Sequence, residues 1–289
     1  MTENNDPAYD LVHILLDGFR NRIKCLDGQE QKKGIGGQEE CKDIDEFESC
    51  PTSEQYSILY SGGLDSAVIS TIVRMTVGRD RGTLHTFGVG GARDITHARQ
   101  GGEIIDMQWS EHILTEDDIL AGAKDLLEIV PDISFLEMSY ELPLYFGASR
   151  ADPEAQYIVT GQGADELFGG YARYQEAKDK LELMLMFDRD RIKLFTRTRE
   201  VENKIVDHFG KTLIAPFLHD DVVAYSSKLE HELLISEDGT NKVVLRECAR
   251  ILGLPEFICS RPKLAAQYGS GISKVLKKLR KKGMLDLGQ

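Results

Sequence analysis

The sequence predicts an α/β protein: a parallel sheet with helices on both faces, plus a mostly helical C-terminal part. Two observations predict it. Strand-forming apolar runs around Tyr56–Tyr60, Leu84–Gly90, Met107–Ile113 and Gln156–Thr160 alternate with helical patterns, as parallel strands require for their crossovers. From Tyr171 onward the strand signals stop and helical periodicity takes over.

Taken in order, residues 1 to 8 carry no pattern and are expected to be disordered. Leu11, Leu15, Phe19, Ile23 and Leu26 then mark one face of a helix from about Tyr9 to Cys25. Residues 27 to 54 are Gly-rich and charged and read as an exposed linker, giving a division into 1–54 and 55–289. A strand at Tyr56–Tyr60 runs through Ser61-Gly62-Gly63 into an apolar helix starting near Ala67. A second strand, Leu84–Gly90, lies one crossover away. A short helix over Asp94–Ile105 and a strand over Met107–Ile113 follow. Thr115 and Asp118 form a capping box for the next helix, which Pro131 ends. A helix is expected over Tyr140–Ser149, then a strand over Gln156–Thr160. The helical lobe from about 171 is read as Tyr174–Phe187, Arg191–Phe209, Asp220–Leu229 and Asn241–Leu252.

Composition excludes several classes. The chain has 289 residues, 41% hydrophobic and 29% charged, ordinary for a globular protein. No run approaches the roughly 18 apolar residues of a membrane span. The acidic start, Met1 to Asp6, is no secretory signal, so a cytoplasmic address is expected. A net charge of −13 argues against broad nucleic-acid binding. Five cysteines (Cys25, Cys41, Cys50, Cys248, Cys259) without C-x-x-C spacing read as reduced structural thiols.

Ser61-Gly62-Gly63-Leu64-Asp65-Ser66 carries the strongest chemical signal. A glycine turn between strand and helix puts unpaired N–H groups and the helix dipole toward an anion, and two glycines let phosphate approach the backbone. No lysine follows, so this is no Walker-type loop. Asp65 beside a phosphate calls for a cation, and Mg²⁺ bridging the two is the expected arrangement. Such a loop suits the whole phosphate chain of ATP, with pyrophosphate leaving. A second turn, Gly161-Gln162-Gly163-Ala164-Asp165-Glu166, also follows a strand. Parallel strands bring both turns to one sheet edge, so Asp165 is expected to meet Asp65 across one metal ion.

These motifs resemble the PP-loop ATP-pyrophosphatase superfamily, and within it the synthetase domain of asparagine synthetases. Gly161–Tyr171 resembles the family's second signature, and Ala215-Pro216-Phe217-Leu218 its Pro-Phe-Leu-Asp element. Lys242–Glu247, Leu254-Pro255 and Ser260–Gly271 resemble its closing region. The compact form looks most like asparagine synthetase domain-containing proteins without a glutaminase domain. The resemblance implies adenylation of a carboxylic acid such as aspartate by ATP, then attack by ammonia or an amine. It places Ser61, Gly62, Gly63, Asp65, Ser66, Val89 and Gly161 on the nucleotide and Asp65 and Asp165 on Mg²⁺. Lys263, Gln162 and Glu166 fall at the chemistry, Lys263 neutralising charge as pyrophosphate leaves.

Three departures bear on the second substrate. Gln162 stands where asparagine synthetases carry a Glu, and an amide cannot take a proton. Ile214 replaces the family's Arg two residues before the Pro-Phe-Leu element, and His219 its Asp. Position 2 is not Cys, and too few residues precede the synthetase region for a glutaminase domain. Nitrogen is therefore expected from free ammonia, an amine or a separate glutaminase subunit. The alternatives are an adenylating ligase for another acid, or a nucleotide-binding partner subunit with little catalysis. His85, His97 and His112 read as dispersed, His208 and His219 as surface or capping residues. The basic run Lys274–Lys282 reads as the solvated face of an amphipathic helix.

Overall fold

Strands β1 (Tyr56–Leu59), β2 (Gly82–Val89), β3 (Gln108–Leu114), β4 (Tyr157–Val159) and β5 (Thr212–Ile214) form one parallel sheet in the order β3-β2-β1-β4-β5. The computed structural model describes residues 6–26, 50, 52–261 and 269–285. Side chains alternate across the sheet with the period of a strand. Tyr56 and Ile58 of β1 and Tyr157 and Val159 of β4 enter one core, while Ile158 enters the other and Leu59 packs against it.

Helices cover both faces, as the alternating pattern requires. On one face lie α1 (Pro7–Leu26), α2 (Leu64–Val77), α3 (Arg93–Ile105) and α11 (Val243–Ile251), contributing Leu15, Phe19, Val68, Ile72, Ala98 and Leu245 to the core. On the other lie α4 (Glu116–Ile129), α5 (Phe135–Arg150), α8 (Arg199–His208) and α13 (Ile272–Lys281), contributing Ile119, Leu126, Phe146, Ile205, Leu276 and Leu279. Burial of each such side chain is worth roughly 1.5–3 kcal/mol, so the sheet is held by two independent sandwiches of apolar contact. The remaining helices are α6 (Ala164–Phe168), α7 (Lys180–Lys193), α9 (Asp220–Ser226), α10 (His231–Leu234) and α12 (Glu256–Cys259). No helix among the described residues is long and apolar enough to cross a membrane.

The Thr115–Asp118 capping box forms as expected, with Thr115 Oγ1 accepting from Asp118 N at 3.1 Å and Asp118 Oδ2 accepting from Thr115 N at 2.8 Å. Four expectations need correction. Pro7 and Ala8 open α1 rather than a disordered tail, with Asp6 Oδ1 accepting from Ala8 N at 2.9 Å. Helix α5 starts at Phe135, one turn earlier than Tyr140, because Ser134 and Glu137 form a second capping box. Helix α7 starts at Lys180 because Asp179 caps it, its carboxylate accepting from Glu182 N at 2.8 Å; residues 172–176 form a separate 3₁₀ turn. A π turn at Leu194–Thr198 divides the expected Arg191–Phe209 helix. Strand β5 was not expected in the helical lobe at all. Of the linker, only Cys50 and residues 52–54 lie within the described residues; Cys50 is buried, and its N–H donates to Thr76 O at 2.6 Å. Cys248 and Cys259 are buried free thiols, as structural thiols would be, whereas Cys25 is exposed.

The histidines depart from their expected places. His85 and His112 sit together on adjacent strands, Nδ1 of one 3.0 Å from Nε2 of the other. No group of three metal-ligating side chains occurs among the described residues. His219 precedes α9 and packs against Gly18 of α1 rather than facing solvent. Burial lowers its pKa to about 4, helped by Arg22 and Arg199 and opposed by Asp220 and Asp221. The folded value lies below the unfolded one, so neutral His219 stabilises the fold above about pH 6.5, and that stability drains away as pH falls toward 4. Between pH 7 and 4.5, urea titrations should show wild type losing about 2 kcal/mol relative to His219→Gln; parallel pH profiles would contradict the burial argument.

Candidate active site

The sheet order reverses direction between β1 and β4, the neighbours that bind β2 and β5 on their outer sides. The loops leaving two such strands diverge and open a crevice at the carboxyl edge. Ile58 pairs with Val159, so Ser61–Ser66 and Thr160–Glu166 leave the sheet side by side. Both line one cavity of about 560 Å³, within the usual range for a small-molecule site.

Gly63 opens α2 with no side-chain cap. The loop is tied internally: Ser66 Oγ donates to Gly63 O at 3.1 Å and accepts from Ser61 N at 3.3 Å, and Ser61 Oγ accepts from Gly63 N at 3.3 Å. Gly62 takes φ +69°, and a Cβ there would lie 2.5 Å from Ala98 N on α3. Arg261 fastens the loop from outside, its Nη1 donating to Gly62 O at 2.6 Å while Nη2 lies 3.8 Å from Asp94 Oδ1. Burial pushes the Asp94 carboxyl up to about 7 against the opposing charge of Arg261. Behind the loop runs a relay. Trp109 Nε1 donates to Thr86 Oγ1 at 2.9 Å, and Thr86 Oγ1 donates to Tyr60 O at 2.6 Å.

Asp65 and Asp165 do converge, and the cation between them in this structure is Lys242. Its Nζ lies 2.5 Å from Asp65 Oδ1 and 2.6 Å from Asp165 Oδ1. The lysine side chain is 2% exposed and the carboxylates 23% and 17%. Burial draws its pKa below the ordinary value, with Asp65 opposing. The ammonium form fits the geometry, since Nζ lies within ion-pair distance of both carboxylates at once. Lys242 holds φ +59° just before α11, the left-handed region that non-glycine residues rarely occupy. Arg246, one turn on, spans to the next segment by donating to Asn241 O at 2.7 Å and Cys259 O at 2.6 Å.

Of the expected nucleotide residues, Ser61, Gly63, Asp65, Ser66 and Gly161 line the cavity, and Gly62 shapes the loop beneath it. Val89 does not line it. It ends β2 with its N–H donating to Ser270 O at 2.9 Å and its carbonyl accepting from Ala92 N at 3.0 Å. Gln162 lines the cavity, and so does Glu166, whose Oε1 accepts from Tyr171 Oη at 2.6 Å. Burial raises the Glu166 pKa. Lys263 lies outside the described residues. Lys242, Arg246 and Arg261 were missed as site residues, although all three fall in the closing region singled out by resemblance. The available signal was the pair of cations, Lys242 and Arg246, four residues apart and flanking the apolar run Val243–Leu245.

Comparison with known proteins points to one family. The asparagine synthase family model matches residues 50–198 and 176–285. A putative glutamine-hydrolysing asparagine synthetase 1 of Methanocaldococcus jannaschii is 25% identical over 264 residues, 79% of this chain and 48% of that one. Asparagine synthetase B of Escherichia coli is 25% identical over 232 residues, 75% and 42% of the two chains. The rat asparagine synthetase is 26% identical over 288 residues, 92% and 47%. The chain thus spans about half the length of the curated relatives it matches.

Proposed function

Since the chain belongs to the asparagine synthase family, we propose that it is an ATP-dependent carbon–nitrogen ligase that forms an acyl-adenylate and releases AMP and pyrophosphate. The observation that carries this reading is the convergence of Asp65, Lys242 and Asp165 beside the Ser61–Ser66 loop, at the sheet's reversal point. In the first step a carboxylate oxygen of the acid bonds to the α-phosphorus and the α–β bridging bond breaks, so pyrophosphate leaves. In the second an amine nitrogen bonds to the acyl carbon, the carbon–oxygen bond to AMP breaks, and nitrogen gives up a proton. The Ser61–Ser66 loop, with both serines lining the cavity, lies on the side of the departing phosphates. Lys242 and Arg261 supply positive charge on that side, where negative charge develops.

The two carboxylates also fit a divalent ion, because one oxygen of each already points at a common position. Asp65 and Asp165 would hold Mg²⁺, which would screen the phosphates, with the lysine ammonium moved from between them. Aspartate with ammonia is the nearest substrate pair by family. A second reading, another acid, is favoured by Ile214: it is 2% exposed in the core and gives its backbone carbonyl to Thr160 N at 3.0 Å, offering the acid no charge. Gln162 leaves the nitrogen source, free ammonia, an amine or a separate glutaminase, as part of the same question.

Pyrophosphate release from ATP and Mg²⁺, screened over carboxylic acids with ammonium present, tests the reading. At least one acid should stimulate release, and Asp65→Ala should lower it about a hundredfold or more. No release with any acid from a protein that binds ATP would leave the partner-subunit reading standing instead.

A further inference from the structure

The cavity has a second end, away from the phosphate loop, walled by Leu136, Tyr140 and Leu144 of α5 and by Leu194 and Thr198 of the π turn. Two carboxyls line it. Glu141 of α5 is 3% exposed and Glu202 of α8 is 4% exposed.

The cations nearby are already engaged. Arg197 binds Glu137 at 2.8 Å and Asp132 at 2.9 Å. Arg199 binds Glu202 at 3.3 Å. Lys193 Nζ stands 6.0 Å from the centre of the Tyr140 ring. Glu141 makes no hydrogen bond or ion pair with any described residue. An acid buried in apolar surroundings without a partner is costly. Burial and the like charges of Glu202 and Glu137 push its pKa well up, and Glu202 rises to about 7. A helix position built only for packing would be filled at lower cost by leucine or glutamine. What this recess lacks is one positive charge with hydrogen-bond donors.

We propose that the Glu141–Glu202 recess is the subsite for an ammonium group on the substrate joined at this centre. The inference rests on the ligase reading for which reaction the group enters, but not for the binding itself. An ammonium there would give Glu141 its missing partner and place two carboxyl groups around three N–H donors. The group could belong to the acid, as in an amino acid, or to the attacking amine.

Calorimetric titration of the whole chain in the presence of ATP separates these sources. The probes are L-aspartate, succinate (the same acid without the amino group) and 1,4-diaminobutane. Wild type should bind aspartate or the diamine at least tenfold more tightly than succinate, and whichever is preferred identifies the source. Glu141→Gln keeps the shape and removes a buried unpaired acid, so folding should survive; its ATP affinity serves as the control. The variant should lose the preference while succinate binding stays within twofold. Glu202→Gln should also weaken the same probe, because it removes one carboxyl and leaves Arg199 unneutralised beside the ammonium group. No ammonium preference in wild type, or an unchanged preference in folded Glu141→Gln, overturns the subsite. Pyrophosphate release is scored separately: release without the preference keeps the ligase and removes the subsite, and preference without release does the reverse.

Discussion

Lys242→Met is expected to lower the unfolding free energy by about 3–5 kcal/mol, the range for removing one partner from a buried charged cluster. Methionine keeps the length and most of the volume of the lysine stem, so packing loss is small. What it removes is the ammonium between Asp65 and Asp165, whose oxygens stand 2.5 and 2.6 Å from that nitrogen. Without that ammonium the two carboxylates, drawn together in a region of reduced water access, repel each other more strongly. Urea denaturation followed by circular dichroism measures the loss. Millimolar Mg²⁺ should raise the melting temperature of Lys242→Met more than that of wild type, because the converging oxygens are then open to it. A loss below about 1 kcal/mol, the worth of an exposed pair, would mean the lysine is not the counter-ion that holds the loops.

Gly62→Ala should cost about 2–3 kcal/mol or more and abolish nucleotide binding, whereas Gly63→Ala should cost less than about 1 kcal/mol. The two glycines are neighbours but not equivalents. Gly62 sits at φ +69°, and its added Cβ would fall 2.5 Å from Ala98 N and 2.6 Å from His97 C, both backbone atoms that cannot swing away. Gly63 has φ −83°, and a Cβ there would meet only Ser61 Oγ at 3.2 Å, a hydroxyl that can rotate. Gly63→Ala therefore separates fold from site. The protein should remain folded, while the new methyl stands at the start of α2 where an anion would approach; a fall in ATP affinity with an unchanged melting temperature is the expected signature. Equal destabilisation by both substitutions would contradict the packing of the loop on α3.

The strand–turn–helix units were legible because their chemistry is local: a few consecutive residues specify strand, glycine turn and helix start, and the two turns meet because parallel strands share an edge. Strand β5 was not legible. Thr212–Ile214 is three residues long, too short to display alternation, and it is a strand only because β4 stands beside it. The start of α7 was misread because apolar periodicity was followed past Asp179, the local cap. The start of α5 was placed at Tyr140, although Ser134 and Glu137 mark the earlier one with a capping box. Lys242 was quoted only as part of a resemblance. Its partner Asp65 lies 177 residues away, a separation that no window of local pattern spans. The recess at Glu141 and Glu202 was invisible for the same reason, since α5 and α8 meet only in the folded chain.

The hydrogen-bonded relay behind the phosphate loop has one more consequence. Trp109 is the only tryptophan in the chain, and its indole N–H reaches the carbonyl of Tyr60 through a single threonine hydroxyl. Tyr60 immediately precedes Ser61. The protein thus carries its own optical reporter, a single indole tied through one hydroxyl to the backbone next to the Ser61–Ser66 loop, and a change in its emission on adding ATP, in wild type and variants, would report binding at that loop without any added label.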